Sequence, residues 1–187
     1  MKRKVIAVTG GIGSGKSEVC RLLRELGHTT VDCDALARQI STDSQVVAEV
    51  GKLLGADFVS DGSINRAMIR QTVFTDANLT KKYNEIFHGR VRQRLDGLLA
   101  NTSGTVFVEI AVIDAFEYKF DEIWLVECPS KIRIDRVTKR DGVSAENVEH
   151  IMLRQHYNKF DRVLRNDSSL EDLRVQVLSA LKNAQIV

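Results

Sequence analysis

A chain of 187 residues with 43% hydrophobic side chains can bury the core of one α/β domain and carry a sizeable insertion. Its 27 lysines and arginines against 25 aspartates and glutamates leave a formal charge of +2, which gives no basis for a nucleic-acid partner or an anionic membrane surface. No run reaches the roughly 18 apolar residues of a membrane span, and Cys20, Cys33 and Cys128 lack the paired spacing of a zinc site or a redox dithiol.

Met1-Lys-Arg leads directly into the apolar strand Lys4-Val-Ile-Ala-Val-Thr9 without a signal-peptide pattern, so a soluble, cytoplasmic protein is expected. The strand runs into Gly10-Gly-Ile-Gly-Ser-Gly-Lys-Ser17, a complete G-x-x-x-x-G-K-S phosphate-binding loop that opens an amphipathic helix bearing Val19, Leu22, Leu23 and Leu26. Its glycines let main-chain N–H groups point inward, and the helix start adds the positive end of a dipole. Gly11, Ile12, Gly13, Ser14, Gly15, Lys16, Ser17 and Glu18 are therefore expected to cradle the phosphates of ATP, Glu18 through its backbone N–H alone. Lys16 is expected to bridge the β- and γ-phosphates and the Ser17 hydroxyl to ligate Mg²⁺.

Gly27 ends this helix, and a short strand, His28 to Asp32, delivers Asp32-Cys33-Asp34 to the sheet edge where ligands collect in parallel α/β sheets. Asp34 is the candidate carboxylate for orienting or deprotonating an attacking hydroxyl. Asp32 is its understudy or a neighbour of the metal's water shell, and a plain turn with a helix cap stays open for the pair. From about Ala35 to Ala100 helical periodicity replaces strand patterns, ending in a stretch with Leu79, Tyr83, Ile86, Phe87, Val91, Leu95 and Leu98 on one face. Lys81, Lys82, Arg90, Arg92 and Arg94 read as its solvated side, and His88 is kept as a binding candidate.

Strands return at Thr105 to Ile110 and Asp121 to Cys128. Next come a helix capped by Ser130 and stopped at Asp141-Gly142, a helix capped by Ser144, a strand from Arg162 to Arg165, and a last helix with Ser168-x-x-Glu171 as its capping box. Arg136 and Arg140, four apart, share one helix face and are candidates to close over phosphates as a lid, with an ordinary charged face as the alternative. Arg133 and Lys139 are expected to face solvent. The β-α alternation predicts an α/β protein, a parallel sheet flanked by helices.

The phosphate loop, Val31-Asp-Cys-Asp-Ala-Leu-Ala-Arg38 and Arg140-Asp141-Gly142 together make the chain resemble dephospho-CoA kinases, nearly end to end. Further matches are Asp61-Gly62 with Arg66, Val73-Phe74, His88, the run from Arg140 to Glu146, Gln155 and Asn166. The resemblance implies a phosphate-loop kinase core at residues 1–35 and 101–187 with a lid at about 136–157, and a helical substrate-binding insertion at 36–100. It implies transfer of the γ-phosphoryl of ATP to the ribose 3′-hydroxyl of dephospho-CoA, with Mg²⁺. With no exposed apolar stripe standing out, a monomer or weak oligomer is expected. Asp34 matches the family's proposed base and Arg140 its lid arginine; Arg38 belongs to the acceptor motif, Asn166 falls near the adenine, and the pantetheine arm passes near His88. Other small acceptors, such as a nucleoside monophosphate, or nucleotide binding without turnover, are the alternative readings. The chain departs from the family pattern at Gly89, where a proline is usual, at Ile110-Ala-Val-Ile-Asp-Ala115, where Asp114 is the available substitute for an acid, and in a short segment after Gln155.

Overall fold

The computed structural model describes residues 3–73, 76–113, 116 and 118–186. Contacts divide the chain into two units, Met1–Asp32 with Thr102–Val187, and Cys33–Asn101. Phe74, Asp114 and Ala115, singled out above, lie outside the described residues.

In the first unit, β1 (Val5–Thr9) leads through the glycine loop to α1 (Lys16–Glu25), and β2 (Thr29–Asp32) closes the segment. The chain returns as β5 (Val106–Glu109), β6 (Glu122–Glu127), α6 (Ser130–Asp141), α7 (Ala145–Leu153), β7 (Arg162–Arg165) and α8 (Leu170–Asn183). Five parallel strands pair in the order β2-β5-β1-β6-β7, with Val8 opposite Glu109 and Asp32 opposite Glu109 in the two ladders that β5 shares. The central strands are continuous apolar runs because helices cover both faces of such a sheet. Ile6, Val8, Phe107, Trp124, Val126 and Leu164 pack against Val19, Leu22 and Leu23 of α1 and Leu173, Val177 and Leu181 of α8. Trp124 is fully buried and stacks edge-on against Phe107 at a centroid distance of 5.1 Å, so the sheet and α1 form one rigid platform for the loop between them.

Two caps differ from the sequence expectation by one residue. Pro129, not Ser130, precedes α6, its fixed backbone suiting the entry, and Ser130 is the first helical residue without a side-chain cap. At α8 the capping box is Ser169 with Asp172, not Ser168 with Glu171; Ser168 instead adds a bond of 2.8 Å to Asp172. Ser144 does cap α7, accepting from the Asn147 N–H.

The second unit contains α2 (Cys33–Ile40), α3 (Ser44–Leu54), β3 (Val59–Ser60), β4 (Ser63–Ile64), α4 (Arg66–Thr72) and α5 (Ala77–Ala100). Its own core gathers Val46, Val47, Val50, Ile64, Ile69, Val73 and Phe87. The β3–β4 hairpin is a feature that helical periodicity passed over. Asp61 and Gly62 both adopt left-handed backbone, at φ 49° and 69°, as a tight hairpin turn of the Asp-Gly type requires.

Candidate active site

The loop between β1 and α1 wraps around its own centre. Gly15 sits at φ 100°, and a Cβ there would fall 1.9 Å from the Asn166 side-chain nitrogen, so only glycine fits. Lys16 folds back and donates to the carbonyls of Gly10 at 2.9 Å and Gly11 at 3.3 Å, acceptors it can exchange for phosphate oxygens. The Ser14 hydroxyl is buried with no hydrogen-bond partner among the described residues, as is that of Thr9. Buried polar groups are normally satisfied, so an orphaned hydroxyl inside a ring of amides marks a place for an oxygen-rich ligand.

Ser17 donates to the Glu109 carboxylate at 2.6 Å, and Glu109 is the strand partner of Asp32. Cys20, one turn along α1, also hydrogen-bonds to Glu109, and burial followed by that negative charge pushes its thiol pKa up, which keeps it an unreactive thiol. A hydroxyl and two carboxylates thus meet at the ends of adjacent strands beside the phosphate loop. Oxygen donors of this kind suit a hard divalent cation such as Mg²⁺, which retains waters and takes its remaining ligands from phosphates. Glu109 was not singled out from the sequence. The signal was there, an acid closing an otherwise apolar strand, but it reads equally as the first residue of a loop.

Opposite the loop, Gly13, Gly15, Lys16, Ser17, Arg136 and Arg140 line one hollow of about 240 Å³. Arg136 reaches Cys128 at 3.4 Å and Asn166 at 3.5 Å. Arg140 is largely exposed and forms a two-bond pair with Asp141, each bond 2.7 Å, a surface pair that a more strongly charged partner can displace. Asn166 is buried and gives an amide N–H to the Ser14 carbonyl at 2.8 Å, so it supports the loop from beneath. Arg133 does not face solvent as expected. It is half-buried against Gly11 and Ile12, because the two loop glycines leave room for it, whereas Lys139 is exposed.

The model of the dephospho-CoA kinase family matches residues 4–172. The chain belongs to the dephospho-CoA kinase family. A dephospho-CoA kinase from Hydrogenovibrio crunogenus is 30% identical over 194 residues, covering 97% of this chain and 98% of that one. A crystal structure of a Thermus thermophilus protein superposes with a TM-score of 0.85 at 31% identity, covering 98% of each chain. The dephospho-CoA kinase from Campylobacter jejuni shares the fold, with a TM-score of 0.60 at 20% identity and 97% coverage of both chains. As a member of the dephospho-CoA kinase family the chain is an ATP-dependent phosphotransferase, a kinase of the last step of coenzyme A synthesis.

Three of this kinase's expected site residues lie in the second unit. Asp34 is exposed in the first turn of α2, two residues beyond the end of β2, rather than on the strand end itself. Arg38 occupies the last turn of the same helix, where its carbonyl accepts from Ser41 at 2.7 Å and Arg66 at 3.5 Å. His88 is half-buried on α5, next to the core residue Phe87. Gly89 follows it within the unbroken helix, where the family's proline would remove a backbone donor.

Proposed function

We propose that this kinase moves the γ-phosphoryl group of ATP to the ribose 3′-hydroxyl of dephospho-CoA with Mg²⁺ as its metal, and that two parts of the chain divide the labour. The nucleotide-handling part is residues 1–35 and 101–187, with the lid at about 136–157, and the acceptor-handling part is 36–100. The observation that carries the reading is the Ser17–Glu109 bond of 2.6 Å beside a glycine loop holding the orphaned Ser14 hydroxyl. The resemblance to the curated dephospho-CoA kinases supplies the acceptor.

The amides of Gly11 and of Gly13 to Glu18 hold the phosphate chain, whereas the Ile12 amide, expected among them, is bonded to Gln155; Asn166 stands beneath the loop on the nucleoside side. Lys16 leaves the Gly10 and Gly11 carbonyls for the β- and γ-phosphate oxygens. Ser17 and Asp32, with Glu109 orienting the serine hydroxyl, would hold the metal, and Mg²⁺ there would supply positive charge to neutralise the phosphates. Asp34 takes the proton of the 3′-hydroxyl as its oxygen bonds to the γ-phosphorus, and the bond to the β–γ bridging oxygen breaks to release ADP. Arg140 exchanges Asp141 for the transferring phosphoryl oxygens while Arg136 holds the leaving group, a contribution made in the transition state. Arg38 and His88 hold the acceptor. The protein works as a cytoplasmic monomer or weak oligomer without a nucleic-acid partner.

Steady-state assays with ATP and dephospho-CoA, set against nucleoside monophosphates, test the acceptor. Turnover confined to a monophosphate rejects it. The Asp34→Asn variant is expected to bind ADP normally while transfer falls by about 10²–10⁴-fold, the range of a lost general base. Near wild-type transfer removes Asp34 from its role.

A further inference from the structure

The phosphate loop is tied to the α6–α7 hairpin by two side chains that the reaction does not otherwise use. The Arg133 Nε donates to the Ile12 carbonyl at 2.8 Å, and the Ile12 N–H donates to the Gln155 Oε1, also at 2.8 Å. Arg133 Nη2 closes the ring by donating to the same Oε1 at 3.4 Å. Gln155 lies two residues beyond the end of α7, so one residue of the loop is gripped from both ends of the hairpin. The seat is built for this grip. A Cβ at Gly11 would meet Arg133 Nη2 at 2.0 Å, and one at Gly13 would meet the Arg133 carbonyl oxygen at 2.7 Å.

Two consequences follow from this geometry. The Ile12 amide is committed to a side chain and is not among the donors offered to a phosphate, so the outer limb of the loop takes its shape from α6 and α7. In addition, Arg136 and Arg140 stand one and two turns after Arg133 on the same helix and line the phosphate hollow. Any shift of α6 that brings those guanidiniums over the phosphates pulls on Ile12, and any reshaping of the loop by a nucleotide pulls on α6.

We propose that Gln155 and Arg133 are positioning residues that couple the arginine-bearing hairpin to the phosphate loop by gripping the Ile12 peptide group. The chemistry of the grip is specific. Gln155 uses only its acceptor oxygen, and its side-chain NH₂ makes no hydrogen bond among the described residues. Glutamate therefore preserves the grip and adds charge to the Arg133 bond, leucine keeps the shape and removes the acceptor, and Arg133→Lys cannot reach Ile12 and Gln155 together.

The inference rests on the loop being the ATP site but not on the acceptor's identity. ADP titration by calorimetry and initial rates over both substrates are compared for the native enzyme, Gln155→Leu, Gln155→Glu and Arg133→Lys. Gln155→Leu and Arg133→Lys are expected to weaken ADP binding and raise the KM for ATP by about 10-fold, the scale of one lost charge-assisted bond, with kcat reduced and the acceptor KM unchanged. Gln155→Glu is expected to return all values to within about 3-fold of native. Native-like ADP affinity and kcat in Gln155→Leu overturn the proposal, and so does a Gln155→Glu enzyme as impaired as Gln155→Leu. Failure of the native enzyme itself to bind ADP rejects the nucleotide site instead, which separates the two readings.

Discussion

At the N-terminal ends of the strands Lys4, Asp121, Glu122, Asp161 and Arg162 are bound to one another or to strand amides, whereas at the C-terminal ends the donors converge on space. Glu122 accepts from Lys4 at 3.4 Å, Arg162 at 2.9 Å and the Trp124 indole at 3.2 Å. Asp121 and Asp161 each cap a strand amide, those of Val5 and Ile123, at 2.7 Å. At the other rim, among the described residues, Ser14 and Thr9 keep unpartnered buried hydroxyls, Lys16 rests on two carbonyls, and Arg140 is bonded only to its chain neighbour Asp141. The same five strands thus carry a closed structural edge and an open chemical one. Stability is invested where no ligand comes, and the polar groups left unsatisfied are those a polyphosphate would satisfy.

The largest effect expected from breaking this contrast is at Gly15. Alanine there meets both the left-handed backbone and the Asn166 side chain 1.9 Å away, so the loop must open. Gly15→Ala is expected to lower kcat/KM for ATP by about 10³-fold, comparable to loss of a preorganised backbone donor, with fluorescence titration of ADP showing the same loss. Unchanged ADP affinity would separate the glycine from the phosphates. A smaller effect is expected at Glu109. Glutamine keeps the contact with Ser17 but removes the charge, so the Mg²⁺ concentration for half-maximal rate should rise by about 10-fold or more, with part of the rate regained at high Mg²⁺. A Mg²⁺ dependence identical to native would remove Glu109 from the metal site.

The open rim was the more legible of the two in the amino-acid sequence. Phosphate binding needs consecutive backbone amides, and consecutive amides need glycines at fixed spacing, so Gly10 to Ser17 declare themselves without tertiary information. Arg136 and Arg140 were also found, because helical spacing puts residues four apart on one face. Arg133 was misjudged by the same rule. Its burial depends on the space beside Gly11, which belongs to a loop more than a hundred residues away. Glu109 was missed for a related reason, since only the pairing of β5 between β1 and β2 brings it to Ser17. The Asp61–Gly62 hairpin shows the reverse case, a local turn signal overlooked inside a stretch dominated by helical periodicity.

The closed rim sharpens the comparison through acid stability. Burial alone would raise the Glu122 pKa, but the bonds from Trp124, Arg162 and Lys4 outweigh it and hold the carboxyl below its ordinary 4.5. A carboxylate with a depressed folded-state pKa adds stability that is fully present above its unfolded value and is lost as the pH falls through its folded one. Glu122→Gln is therefore expected to cost about 2 kcal/mol at pH 7, a fall in Tm of about 4–8 °C, because Arg162 and Lys4 lose their charged acceptor. The gap between the two melting curves should narrow as the pH falls below the ordinary carboxylate range and the native carboxyl takes up its proton. ADP affinity should stay within about 2-fold of native, since the substitution lies at the strand ends remote from the loop. A matching loss of ADP affinity would mean that the strands transmit disturbance from one rim to the other, and that the closed edge is part of the nucleotide site.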